Sequence, residues 1–172
     1  MKAYKGFNRL PDGTLSCRDF TYKVGETYKY GGDIEICASG FHACHELHQC
    51  WTFYPNNEKN VFCEVECGGE VIESEDRDGK FVCSEITILR EVDMSGMEVF
   101  DYAGTFRNGY AMVSKDNEYN HISTDGKLVS EEWWYDAWPF CDGYAKVRKD
   151  NEYNHIGTDG NVTDIIYKTE IK

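Results

Sequence analysis

Cysteine and histidine side chains are concentrated between residues 37 and 50, where the sequence is CASGFHACHELHQC. On a helix, Cys44 and His48 would share one face at i, i+4, a spacing that suits zinc. Together with Cys37 and Cys50 they form a candidate set of four metal ligands. The alternative is buried thiols and surface histidines, because no paired Cys-x-x-Cys spacing is present. We expect no cofactor, with zinc as the alternative.

A second group that could do chemistry is the acidic segment at residues 61–67, VFCEVEC. Its period-2 alternation predicts a strand that carries Glu64 and Glu66 on one face and Cys63 and Cys67 on the other. A pair of carboxylates on one face could orient a substrate. The simpler interpretation is the solvated outer face of a sheet. Cys63 and Cys67 are four positions apart on this strand, so their thiols lie about 13 Å apart. This is too far for both to bind one ion.

Three motifs follow one another in the N-terminal part: Tyr4-Lys5-Gly6, Gly40-Phe41-His42-Ala43 and Glu64-Val65-Glu66. Their order resembles the layout of small ADP-ribosyltransferases, which carry Tyr-Arg-Gly or Tyr-His-Gly first, an aromatic motif next and an acidic strand last. The resemblance implies that backbone at the first motif holds nicotinamide and that the acid aligns the ribose. Lys5 stands where that family has Arg or His. The candidate catalytic residues that it implies are Lys5, His42, Glu64 and Glu66.

Residues 1–92 also resemble a small uncharacterised domain of phage and bacterial proteins. The shared core is Cys-x-x-Gly-Phe-His-Ala-Cys, which spans Cys37 to Cys44 in this sequence. This resemblance brings no known activity. It implies an origin in a phage or another mobile element.

The elements that must position these residues are mainly short strands. Five Asp-Gly pairs, together with Gly31-Gly32 and Gly68-Gly69, imply many tight turns. One helix is expected near residues 43–54, where apolar residues recur at three- and four-residue spacing. Strands are predicted near residues 2–7, 19–23, 34–37, 61–67, 70–74 and 81–92. Residues 1–92 therefore form a predicted α+β domain, and residues 93–99 a linker.

Two nearly identical segments follow. FRNGYAMVSKDNEYNHISTDG at residues 106–126 and FCDGYAKVRKDNEYNHIGTDG at residues 140–160 agree at 16 of 21 positions without a gap. In each copy, two alternating segments flank a Lys-Asp-Asn turn, which predicts a small antiparallel meander. In the first copy a third strand is expected at residues 127–130. One meander buries little apolar surface, so we expect the copies to pack on each other or on the N-terminal part.

Residues 100–164 resemble the WG repeat of bacterial proteins. The resemblance lies in Phe-x-x-Gly-x-Ala-x-Val, in Asp-Gly, and in Tyr135-Asp136-Ala137-Trp138-Pro139-Phe140. Tyr119-Asn120 and Tyr153-Asn154 stand at the position of the Trp-Gly that names the repeat. The resemblance implies β-rich repeats that mediate interactions and have no catalytic activity of their own.

The stretch EEWWYDAWP at residues 131–139 is the candidate contact with a partner. Strand alternation places Trp134 on the same face as Asp136, and a charged Asp is not expected inside. We therefore predict that Trp134 is exposed while Trp133 and Tyr135 point inward. The alternative is that all three tryptophans fill the space between the repeats. The predicted partner-binding residues are Trp134, Trp138, Glu131 and Glu132.

Composition narrows the classes of partner. The chain has 172 residues, 41% of them hydrophobic, and a net charge of −13. This charge disfavours binding to nucleic-acid phosphates and favours a protein partner with a basic surface. The N-terminal segment has no apolar signal-peptide core and no run reaches membrane-spanning length, so we expect a cytoplasmic protein without a membrane partner.

The sequence thus predicts an α+β, strand-dominated fold: an N-terminal antiparallel sheet with one short helix, then two β-meander repeats at residues 100–172. The predicted function is a non-enzymatic protein-interaction module, such as a phage or mobile-element inhibitor that docks on a basic surface of a host protein. The alternative is an ADP-ribosyltransferase-like enzyme or an NAD-derivative-binding domain in residues 1–92.

The redox state of the eight cysteines is testable. A cytoplasmic protein keeps its thiols reduced, so thiol titration of the denatured, unreduced protein should find most of them free. Four intact disulfides would contradict the predicted compartment.

Overall fold

The computed structural model describes residues 1–76 and 78–163. The first half of the chain forms one antiparallel sheet of seven strands. The strands are β1 Lys2–Arg9, β2 Leu15–Cys17, β3 Phe20–Tyr22, β4 Thr27–Lys29, β5 Phe41–Cys44, β6 Asn60–Glu73 and β7 Lys80–Glu91.

Four of these strands close into a ring. β1 pairs with both β5 and β6, and β7 pairs with the same two strands. The long pairing of β6 with β7 shifts register at Glu64/Val65 and at Gly68/Val71, and such bulges let a strand bend around a small barrel. The interior is apolar and includes Phe7, Val65 and Ile86, all fully buried.

Three local predictions are wrong. The helix expected at 43–54 is only one turn, α1 Leu47–Cys50, because residues 41–44 pair as a strand with β7. The strand expected at 34–37 is a turn held by a bridge between Glu35 and Ser39. The strands expected at 61–67 and 70–74 are one strand, since the bulge takes up the glycine pair.

The repeats form two smaller antiparallel sheets. The expected third strand at 127–130 is reduced to a bridge between Ile122 and Leu128. The first sheet contains β8 Tyr102–Ala103, β9 Tyr110–Lys115 and β10 Glu118–Ser123; the second contains β11 Asp136–Ala137, β12 Tyr144–Lys149, β13 Glu152–Gly157 and β14 Val162–Thr163. Strands β8 to β10 and β11 to β13 correspond residue for residue at the offset of 34, as the sequence predicts.

Each repeat has an apolar core built from equivalent residues. Ala111, Val113 and Ile122 of the first repeat match Ala145, Val147 and Ile156 of the second, and all six are buried. The first core continues into the N-terminal sheet without a break. We call this shared cluster the junction core; its buried members are Cys44, Cys50, Trp51, Phe62, Phe100, Ala103, Ala111, Val113 and Ile122.

The fold is therefore mostly β with one short helix, and the predicted fold class is confirmed. All strand pairs among the described residues are antiparallel. The helix of four residues is too short to cross a bilayer, and no other described segment forms a helix that could.

The predicted exposure of Trp134 is wrong. Its side chain is only 2% exposed and packs with Phe140 and Val147 in the core of the second repeat, whereas Tyr135 is 51% exposed. Trp134 is the repeat equivalent of the buried Phe100, 34 residues earlier. The physical reason for its burial is that it fills the apolar core of the second repeat. Asp136, which suggested an outer face, forms an ion pair with Arg148 at the edge of the sheet.

Substitution of Trp134 should test this packing. Trp134→Ala should lower the free energy of unfolding by about 3–5 kcal/mol, because it removes a buried aromatic side chain. Tyr135→Ala, at the neighbouring exposed position, should change it by about 0.5 kcal/mol. Urea denaturation of both variants measures the difference; equal effects would contradict the assigned core.

Candidate functional site

The N-terminal sheet contains a cavity of about 690 Å³. Strands β1 and β5, the turn after β2 and the segment after α1 enclose it. Its lining is rich in aromatic rings and basic side chains, and the residues that the following paragraphs use are Lys5, Arg18, Asp19, Tyr22, Tyr30, Cys37, Phe41, His42, Phe53, Tyr54 and Lys80.

Two glycines make room for the walls. The ring of Tyr54 lies across Gly6, where an added Cβ would come within 2.6 Å of two ring carbons. Gly40 has a φ of +91°, which L-residues rarely adopt, and an added Cβ there would meet Val82 and Ile34. Gly6 of the first motif and Gly40 of the second are thus required beside the cavity, because a side chain at either position would collide with its neighbours.

Lys5 is a buried cation without a carboxylate partner among the described residues. Its side chain is on β1, and the residue is 4% exposed. The ammonium Nζ donates to the carbonyl of His42 at 2.8 Å and to Cys17 Sγ at 3.4 Å. It also lies 5.3 Å from the ring centre of Phe7 and 6.0 Å from that of Tyr22. An ammonium has three donors, and here they meet one oxygen, one weak acceptor and ring faces.

His42 is held as a neutral imidazole. Burial, and after it the charges of Lys5, Arg18 and Lys80, together lower its pKa to about 4. The Cys37 backbone N–H donates to His42 Nε2 at 2.8 Å, which fixes that nitrogen as the acceptor. His42 is therefore a positioning group for the 37–42 loop at neutral pH and not a fourth cation.

The mouth of the cavity is basic. Arg18 donates to the carbonyls of Cys37 and Ala38 at 3.0 and 3.2 Å. Lys80 donates to Cys37 Sγ at 3.2 Å and forms an ion pair with Asp78 at the same distance. The only carboxylate residue that lines the cavity, within the described part of the chain, is Asp19. In a chain with a net charge of −13, this cavity has the opposite charge balance.

The structure brings together only two of the four residues of the predicted catalytic set. Lys5 and His42 line the cavity, whereas Glu64 and Glu66 do not. Glu64 forms an ion pair with Arg90, and Glu66 is exposed opposite Lys2. Strand alternation explains this, because Cys63 and Val65 occupy the inner face of β6.

The four predicted zinc ligands do not converge. Cys37 is exposed at the mouth, and His48 packs against the ring of Phe106. Cys44 and Cys50 are buried, and the hydrogen bond between their thiols, together with burial, raises the pKa of the Cys50 thiol. No group of three or more His, Cys, Asp or Glu side chains that could hold a metal occurs in the described ranges.

The sequence did not identify the aromatic walls or the cations Arg18 and Lys80. These two residues are 62 positions apart, and no spacing rule connects them. A partial signal is the four-residue spacing of Cys50 and Tyr54 within the predicted helix. Both residues line the cavity, although Tyr54 lies in a turn beyond α1.

Of the predicted partner-binding residues, Glu131, Glu132 and Trp138 are exposed, and Trp134 is buried. Trp138 is 40% exposed and lies 6.1 Å from the ring centre of Tyr153. The ammonium of Lys146 lies 5.2 Å from the Trp138 ring and 4.1 Å from the Tyr153 ring.

The neutrality of His42 has a consequence for stability. In the unfolded chain a histidine takes up a proton as the pH falls through 6.5, but folded His42 does so only near 4. His42 therefore makes the folded state lose stability as the pH falls from 6.5 to 4. His42→Gln keeps an acceptor for the Cys37 N–H and should reduce the difference in free energy of unfolding between pH 7 and pH 5. Urea titration of both proteins measures it, and an unchanged difference would contradict the assignment.

Comparison with known proteins identifies two segments of the chain. A family described as a domain of unknown function (DUF7666) matches residues 1–99, and a WG containing repeat matches residues 99–119. No curated protein and no solved structure matches the chain. The two resemblances noted in the sequence, to an uncharacterised domain and to the WG repeat, are confirmed. Because the first match covers more than half of the 172 residues, the chain belongs to the DUF7666 family.

Proposed function

We propose that residues 1–99 bind a small anionic molecule that carries a flat ring, of the class of NAD and its derivative ADP-ribose. The observation that carries the proposal is the buried ammonium of Lys5, which lines the cavity and has no carboxylate partner among the described residues.

The argument for an anion is electrostatic. Removing a charged ammonium from water is costly unless an opposite charge or several hydrogen bonds replace the lost hydration. Lys5 has one carbonyl and one thiol for this purpose. Arg18 lines the same cavity and adds positive charge, whereas the charge of Lys80 is balanced by its ion pair with Asp78. A phosphate or pyrophosphate group would supply the missing counter-charge and two or more acceptors.

The argument for a ring is the nature of the walls. Tyr22, Tyr30, Phe41, Phe53 and Tyr54 line the cavity. Aromatic side chains bind planar groups by offset or edge-to-face contacts. The volume of about 690 Å³ is within the range of about 300–1,000 Å³ that is typical of small-molecule sites.

The activity that we propose is binding without group transfer. A transferase of the ADP-ribosyl type needs a carboxylate beside the ribose, and Glu64 and Glu66 lie outside the cavity. Asp19 is exposed in the turn after β2. The arrangement favours retention of the ligand over its cleavage.

Calorimetric titration with ADP-ribose and NAD tests the proposal. We expect a dissociation constant below about 1 mM, and binding weaker by at least about tenfold for adenosine, which has the ring but no charge. Lys5→Met should also weaken ADP-ribose binding by at least about tenfold. The matched control is Lys2→Met, an exposed lysine of the same strand, which should leave affinity unchanged.

Two results would reject the proposal. One is the absence of heat and of any rise in melting temperature at millimolar NAD and ADP-ribose. The other is equal affinity of the Lys5→Met and Lys2→Met variants, provided that both melt as the parent does.

For residues 100–163 we propose a second function, that of a protein-interaction module. The specific observation is the exposure of Tyr144, Tyr153 and Trp138 together on the second repeat. Exposed aromatic side chains that lie close together are characteristic of protein interfaces. The net charge of −13 favours partners with basic surroundings.

A further inference from the structure

We infer that Lys5 is a nucleophile, and that it holds ADP-ribose by forming an imine with the open-chain aldehyde of the terminal ribose. The inference rests on the function proposed for residues 1–99. It selects ADP-ribose over NAD within the proposed ligand class, and it assigns a covalent bond to one side chain.

The amino group of Lys5 lies at the wall of the cavity. Lys5 is the one buried lysine within residues 1–76 and 78–163. Three residues that surround its Nζ, namely Cys17, Tyr22 and His42, line the same cavity. A ligand in the cavity therefore lies beside an amino group that is shielded from bulk water.

The contacts of Lys5 differ from those of a structural lysine. A buried lysine normally pairs with a carboxylate. No carboxylate pairs with Lys5 among the described residues, and Nζ donates only to the His42 carbonyl and to the weak acceptor Cys17 Sγ. The guanidinium-bearing Arg18 lines the same cavity. A lysine in an apolar pocket near another cation is the arrangement in which enzymes use lysine as a nucleophile toward carbonyl groups.

The reaction balances without an added reagent. The Nζ nitrogen bonds to the aldehyde carbon, and one proton of the ammonium moves to the aldehyde oxygen. The resulting carbinolamine loses its hydroxyl together with a second proton from nitrogen, as water, which leaves a C=N bond. An ammonium and an aldehyde thus give an iminium and water, and the single positive charge is retained. The iminium can still balance a phosphate of the ligand.

The need for a carbonyl group distinguishes the two ligands of the proposed class. The terminal ribose of ADP-ribose has a free anomeric carbon and opens to an aldehyde. In NAD the same carbon is bonded to nicotinamide, so NAD has no aldehyde. Both molecules carry the pyrophosphate and the adenine ring that suit the cations and the aromatic walls of the cavity. NAD therefore competes for the site without forming the covalent bond.

Reductive trapping tests the inference. The full chain is incubated with ADP-ribose and cyanoborohydride, which reduces an iminium to a stable amine, and protease digestion with mass spectrometry identifies the modified lysines. We expect Lys5 to be labelled at least about tenfold more than the exposed Lys2 and Lys23, because the cavity holds the aldehyde beside Nζ. An excess of NAD should abolish the labelling of Lys5 and leave that of the exposed lysines unchanged.

A substitution that conserves charge separates the covalent bond from the electrostatics. Lys5→Arg keeps a cation in the cavity but forms no imine, so this variant should still bind NAD while the NAD-protected label disappears. Lys2→Arg, at an exposed position of the same strand, is the matched control and should leave the labelling of Lys5 unchanged. Protection by NAD in the parent chain decides the question without a substitution if Lys5→Arg fails to fold.

Three outcomes would overturn the inference. The first is calorimetric binding of ADP-ribose and NAD with Lys5 labelled no more than Lys2 and Lys23, which would leave the proposed anion site in place. The second is labelling of Lys5 that bound NAD does not reduce, since ADP-ribose would then react outside the site. The third is the absence of both binding and labelling, which would reject the imine and the proposed function together.

Discussion

The packing of Trp51 against the first repeat joins the two halves of this chain. The ring of Trp51 lies 5.9 Å from that of Phe100 and 6.0 Å from that of Phe106. The buried apolar residues of the first repeat belong to the junction core. Tyr110 and Val129 of the first repeat in turn pack against the core of the second repeat.

The cavity and the junction core share one turn of chain. Cys50 lines the cavity, and the next residue, Trp51, fills the junction core. Tyr54 packs over Gly6 from the same segment. Residues 50–54 are therefore held from two sides, by the walls of the cavity and by the first repeat. These contacts hold the C-terminal end of the four-residue helix α1.

Local pattern predicted the strand-rich class, the repeats and their offset, because alternation and turn residues are properties of neighbouring positions. It failed where tertiary packing decided. The face of Trp134 was assigned from Asp136 beside it, whereas comparison with Phe100 one period earlier would have placed it inside. Local patterns could not predict the cavity, because Lys5 and Lys80 come to line it only when β1 and β7 both pair with β5. Motif order did suggest that Lys5 and His42 belong together.

The repeat stack has a direction. At its N-terminal end, Gly126 lies against the side chains of Trp51 and Met97, and one period later Gly160 lies against the backbone of Val129 in the first repeat. The N-terminal sheet thus substitutes for a preceding repeat and closes that end. Duplication of a 34-residue unit would lengthen such an array at the opposite end, with each added unit packing on its predecessor as the second repeat packs on the first.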